Sequence, residues 1–254
     1  MNDSNSERST RKYKMEIQYQ GTNYSGWQIQ PYQTSVQESV SNALSQLAGI
    51  RISVTGAGRT DSGVHALQQV AHFYFPEKES IPDLKKALNA VLPWDIRVTS
   101  VTEAPPDFHA RKWAVKKRYE YHFYTGEVFP PFLHNLALHL NPGFDPGPAA
   151  EAAALLIGTH DFSAFTGSGT SIVDKVRTVN ESRFINGKDD LLIYRIEANG
   201  FLLHMVRNIV GTLMEVGRGR IEPSSIPSIL SSLDRAQAGP TAPPHGLYLA
   251  RIWY

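Results

Sequence analysis

Apolar and polar residues alternate over residues 13–19, YKMEIQY, which places Tyr13, Met15, Ile17 and Tyr19 on one face of a half-buried strand. A glycine-punctuated loop, QGTNYSGWQIQP, follows. The period then changes to that of a helix over residues 35–47. Val36, Val40, Leu44 and Leu47 form its apolar stripe, and Ser35 with Glu38 reads as a capping box. Short strands are expected over residues 50–55 and 69–75. A second helix fits residues 83–91, with Leu84, Ala87, Leu88 and Val91 inward, and a strand fits residues 96–103. The first half therefore reads β-α-β-β-α-β.

The rhythm recurs after NPGFDPGP, residues 141–148, which is the best linker candidate. A helix is expected over residues 149–157, strands over 175–184 and 191–198, and an apolar helix over 201–216. A short helix over 224–233 and a terminal strand over 247–254 close the chain. The elements predict an α+β protein, two related halves around a mostly antiparallel sheet, with no residue-level repeat visible. The expected divisions are a disordered tail at residues 1–12, an N-terminal half at 13–140 and a C-terminal half at 141–254.

Composition narrows the chemistry. With 254 residues, 41% hydrophobic and 19% charged, the chain can bury a sizeable core, and its net charge of +1 neither demands nor excludes nucleic acid. It has no cysteine, which removes disulfides, thiol nucleophiles and cysteine-held metals. Residues 1–12 have no apolar core of a signal peptide, and no apolar run approaches the roughly 20 residues of a membrane span. The cytoplasm is the expected location.

The sharpest local signal is GAGRTDSGVHA, residues 56–66. Glycine- and Asp-containing loops are commonly plain turns. Here Arg59 and Asp61 stand two apart, so in extended backbone they share one side. A guanidinium there favours an ionised carboxylate, which suits a nucleophile or electrostatic stabiliser better than a general acid. Asp-Ser-Gly also occurs in aspartic proteases, but those need two facing copies and this chain has one. The glycine spacing is not a phosphate-binding fingerprint. His65 and His72 lack further ligands at metal-binding spacing and read as structural or surface residues.

Two later stretches add to this. FLLHMVRNIVGTLMEV, residues 201–216, holds only two charges, Arg207 and Glu215, eight positions apart. Arg207 stands among Val206, Ile209 and Val210, so it needs either an anion or a route to water. The anion considered is Asp61. Residues 108–124, FHARKWAVKKRYEYHFY, interleave Arg111, Lys112, Lys116, Lys117 and Arg118 with aromatic rings. Cations track phosphates and rings stack on bases, so the cluster fits a nucleic-acid groove. Taken singly, Tyr119, Tyr121 and Phe123 read as one face of a sheet core.

These stretches resemble the bacterial tRNA pseudouridine synthase A family. The likeness runs from about Tyr13 to Tyr254 through YSGWQIQP, TSVQESV, AGRTDSGVHA, DFHARKWAVKKRYEYHFY, HDFSAF, FLLHMVRNIVGTLMEVGRG and GPTAPPHGLYLARIWY, in that order. The resemblance implies isomerisation of uridine to pseudouridine at positions 38–40 of the tRNA anticodon stem-loop, without cofactor or metal. It implies that Asp61 is the catalytic aspartate, acting as nucleophile or as base toward the sugar. Arg59 would hold the place of the flipped nucleotide or orient Asp61. Tyr119 would stack on the uracil, Val206 would support that ring, and Arg207 would pair with Asp61. Arg111, Lys116, Lys117 and Arg118 would bind substrate. It further implies a continuous sheet with the active-site cleft between the halves, and a homodimer on which one tRNA contacts both subunits. The alternative reading is a tRNA-binding protein without catalysis.

Overall fold

A computed structural model describes residues 10–76, 83–140, 142–169 and 171–254. The chain forms two compact units, Met1–Ala114 and Val115–Tyr254. Residues 1–9 of the expected tail lie outside the described residues. Residues 10–12 differ from that expectation, because they open the first strand: Thr10 pairs with Pro76, and Lys12 Nζ donates to the carbonyls of Pro106 and Phe108.

The first unit runs β1 (Thr10–Tyr19), α1 (Val36–Ala48), β2 (Thr55–Gly56), β3 (His65–Pro76), α2 (Leu84–Val91) and β4 (Ile96–Glu103). This is the β-α-β-β-α-β order that the periodicity predicts. The strands are antiparallel in the order β4-β1-β3-β2. Met15, Ile17 and Tyr19 are buried, so the alternation in the sequence is the alternation of the sheet. Ser35 Oγ accepts from Glu38 N at 3.3 Å, and Gly49 ends α1 with φ +64°, a conformation that favours glycine. Val36, Val40 and Leu44 are buried, and Leu47 is half-buried. Of the four residues expected inward on α2, only Leu88 is buried. The expected strand at 50–55 contracts to two residues.

The second unit runs β5 (Lys116–Tyr124), β6 (Leu138–His139), α3 (Pro146–Ala154), β7 (Gly158–Asp161), β8 (Val176–Asn186), β9 (Leu191–Ala198), α4 (Met205–Gly217), α5 (Ile226–Ser232) and β10 (Leu247–Trp253). Strand order is β10-β5-β9-β8-β7. Every pair in it is antiparallel, and the short β6 lies parallel to β5. Residues 142–148 of the expected linker fall inside this unit. Asp145 caps α3 and Pro146 occupies its first turn, so this helix starts earlier than expected. The apolar helix starts later than expected, at Met205, because His204 adopts φ +57° and breaks the run from Phe201. Tyr121, Phe123, Tyr194 and Ile196 from the strands and Ile209, Val210 and Leu213 from α4 make the core. No helix among the described residues is long and apolar enough to cross a membrane.

Candidate active site

The β2–β3 connection carries Arg59 and Asp61, and its main chain is tied at nearly every step. Ala57 N donates to Val70 O at 2.7 Å, and Gln69 Nε2 donates to Gly58 O at 2.8 Å. Thr60 O accepts from Trp27 N at 3.1 Å, while the buried Thr60 hydroxyl meets Tyr19 OH at 2.8 Å. Asp61 O accepts from Val64 N at 3.1 Å, closing a turn in which Gly63 has φ +77°. Ser62 Oγ and Gly63 N both donate to Tyr24 O at 3.3 Å.

Buried Thr60 stands between an exposed Arg59 and a half-buried Asp61, the alternation that extended backbone imposes. The bracing reaches back to α1. Val36 N and Gln37 N, two of the first-turn donors of that helix, bond to the carbonyls of Gly26 and Trp27. The helix start thus fixes the segment that fixes Thr60, and Thr60 precedes Asp61.

The glycines of the motif serve this packing. A Cβ at Gly56 would lie 2.6 Å from the Trp27 indole, which is buried. Gly63 supplies the left-handed turn. At Gly56 the space that a side chain would need is therefore taken by Trp27. His65 and His72 have structural roles. His65 Nδ1 accepts from Gly21 N at 3.0 Å, and His72 Nδ1 accepts from Ala110 N at 3.2 Å. Burial, with His109 and Lys12 nearby, depresses the His72 pKa to about 4. Among the described residues, no three His, Asp or Glu side chains gather to hold a metal ion.

In the second unit, Tyr119 lies on β5 opposite Leu249 and Ile196 and is buried. Phe201 meets its ring edge-on, with centroids 5.0 Å apart and planes at 82°. Tyr119, Tyr121 and Phe123 share the buried face of β5. Tyr121 OH donates to Pro243 O at 2.9 Å, and burial raises the Tyr121 pKa, keeping the hydroxyl protonated.

Arg207 lies in the first turn of α4 and is half-buried, with Val206 buried beside it. Its Nε donates to Ala242 O at 2.8 Å, and Ala242 N donates back to Arg207 O at 3.0 Å. Glu215, too far along α4 to serve Arg207, bonds to Arg218 and Arg220 at 2.9 Å each. The sequence reading missed Ala242 and Tyr121 as supports, although Ala242 lies inside the GPTAPP stretch.

The basic stretch divides between the units. Arg111 is exposed in the first. In the second, Lys116 Nζ lies 2.5 Å from Glu197 Oε2, and Arg118 Nε donates to Glu197 Oε1 at 2.7 Å. Burial pushes the Glu197 carboxyl up, but its bonds to Lys116 and Arg118 outweigh this and hold it below the usual range. Lys116, Arg118 and Arg251 also lie 4.2, 5.2 and 5.1 Å from the Trp253 ring centre. Lys117 is half-buried on the Tyr119 side of the strand.

Set against known proteins, residues 15–111 and 152–254 match the family model described as tRNA pseudouridine synthase. A tRNA pseudouridine synthase A of Thermoanaerobacter sp. (strain X514) is 44% identical over 244 residues, covering 96% of this chain and all of that one. Proteins of the same name from Ruminiclostridium cellulolyticum and Streptococcus sanguinis are 41% and 42% identical, each over 96% of this chain and over 100% and 98% of their own lengths. With likeness of this extent across both units, the chain belongs to the tRNA pseudouridine synthase family.

Proposed function

We propose that this protein isomerises uridine to pseudouridine in tRNA, at positions 38–40 of the anticodon stem-loop. The observation that carries the reading is the family match, which spans Arg59, Asp61 and Arg207 in its two blocks. The braced β2–β3 loop supports it, because it presents one carboxylate and one exposed guanidinium on a rigid frame.

The target base leaves its stack at a cost of about a few kcal/mol. Arg59, which is exposed, holds the vacated position or orients Asp61. Asp61 attacks C1′ as nucleophile or removes a proton at the sugar's 2′ position. The N1–C1′ bond breaks, the uracil rotates, and a C5–C1′ bond forms. C5 then loses its proton and N1 gains one, so the reaction needs no oxidant or reductant. Tyr119 stacks on the uracil and takes or relays the C5 proton, with Phe201 fixing its ring and Val206 supporting it. Arg207 supplies the cation of the reacting centre. Arg111, Lys116, Lys117 and Arg118 track the phosphates, which makes binding salt-dependent. The enzyme works in the cytoplasm as a homodimer.

The test is to incubate the protein with an unmodified tRNA transcript and map carbodiimide adducts by primer extension. Stops assigned to positions 38–40 are expected. Binding with no new pseudouridine would instead establish a non-catalytic tRNA-binding protein.

A further inference from the structure

The segment between α5 and β10 is stapled onto α4 by a polar knot in which exposed Thr241 and half-buried Arg235 close over the buried Asn208. Asn208 is fully buried, and its Oδ1 accepts from Thr241 Oγ1 at 2.6 Å and from Arg235 Nη2 at 3.1 Å. Arg235 Nη2 also reaches Thr241 Oγ1 at 3.2 Å, and its Nη1 donates to Ala238 O at 3.2 Å. The other end of Asn208 donates to Phe165 O at 2.8 Å. One turn along the helix, buried Thr212 accepts from Gly239 N at 2.9 Å.

The segment lies so close to α4 that a Cβ at Gly211 would stand 1.6 Å from Pro240 O. On its far side, Tyr121 holds Pro243 O. Between these anchors sits Ala242, whose N–H and C=O both bond to Arg207. A buried amide that satisfies several donors is costly to disturb and defines a single local arrangement. A guanidinium whose Nε is tied to a fixed carbonyl has its plane, and so its remaining donors, set by that carbonyl.

We infer that Thr241, with Asn208 and Arg235, is a positioning residue for the reaction: the knot holds the Ala242 carbonyl against Arg207 Nε and thereby aims the guanidinium. The inference rests on the functional reading above. Thr241 touches no reacting atom, and its effect passes through Arg207.

The test uses the full-length chain in single-turnover tritium release from tRNA labelled at uridine C5. Thr241→Val keeps the β-branched shape and removes the hydroxyl, whereas Thr241→Ser keeps the hydroxyl. Thr241→Val is expected to lower the rate about tenfold or more, since small misplacements of catalytic groups carry effects of that order. The tRNA concentration for half-maximal rate should stay within about twofold, and Thr241→Ser should restore the rate. Arg235→Met, which removes a partly exposed member of the knot, should lower the rate in the same way if Thr241→Val does not fold.

Dependence on Arg207 is read in an Arg207→Lys background, where no Nε–H faces Ala242. There Thr241→Val should change nothing further. A wild-type rate for Thr241→Val, or an equal loss in the Arg207→Lys background, would overturn the inference. A wild-type protein that releases no tritium would instead overturn the functional reading itself.

Discussion

The two units share a plan and use it differently. The chain order β1-α1-β2-β3-α2-β4 recurs as β5-α3-β8-β9-α4-β10, and the strand order β4-β1-β3-β2 recurs as β10-β5-β9-β8. In the first unit the connection equivalent to a hairpin is long, residues 57–64, and it carries Arg59 and Asp61. In the second it is a tight turn at residues 187–190, closed by Gly187 N donating to Leu191 O at 2.7 Å. The second unit instead sets its candidate chemistry on regular elements: Tyr119 inside β5, and Arg207 in the first turn of α4. Only Leu88 is buried on α2, but nearly all of α4 is.

The lesson concerns how each group is held. The Asp61 loop is held by bonds to Val70, Gln69, Trp27, Tyr19 and Tyr24. Arg207 is itself part of a bracing bond, so changing it disturbs structure and chemistry together.

The largest effect expected from this difference is at Asp61. Asp61→Asn should lower turnover on the order of 10³-fold or more, with melting changed by about 1 kcal/mol or less and tRNA binding retained. Melting curves and filter binding beside the activity assay check this. Unfolding of the variant would break the comparison. Arg207→Ala should lower turnover about 10²-fold and also cost roughly 1–2 kcal/mol, since the Ala242 bonds lose their side-chain member. Wild-type melting for that variant would show that the Ala242 contact does not brace the unit.

Glu197→Gln should have a smaller effect, about 2 kcal/mol of stability by denaturant titration, because the half-exposed Lys116 and Arg118 lose their shared carboxylate. The same variant should bind tRNA with a steeper salt dependence, by about one in the log–log slope, as cations are released to phosphate. An unchanged slope would remove Lys116 and Arg118 from the phosphate-tracking set.

A further effect, confined to acid pH, should come from His72. Its pKa falls from 6.5 in the unfolded chain to about 4 when folded, so the unfolded state binds the proton more readily. The stabilisation is complete above pH 6.5 and is lost as pH falls from there through 4. His72→Gln should flatten the melting temperature over that window. An unchanged pH profile would show that His72 does not titrate this way.

Much of this was legible in the sequence, and the gaps have physical causes. The first unit's element order, the Ser35 cap and the Arg59–Asp61 alternation all follow from spacing over a few residues. The start of α3 was hidden because Asp145 and Pro146 serve equally in a turn and at a helix N-terminus. The late start of the helix expected over 201–216 was hidden because one backbone angle at His204, not composition, sets it. The reason for Gly56 lies in Trp27, far upstream. The partner of Lys116 and Arg118 is Glu197, four strands on in the chain but adjacent in the sheet. Pairings of that separation are set by sheet register, which local patterning does not encode.

The most direct measurement is tritium release from tRNA labelled at uridine C5, comparing the protein with its Asp61→Asn variant. Pseudouridine formation replaces the C5–H bond by a C5–C1′ bond, so the label must leave. Release by the wild-type protein alone is the expected result. Equal release by both proteins would contradict the role assigned to Asp61, and release by neither, with tRNA bound, would contradict the isomerase.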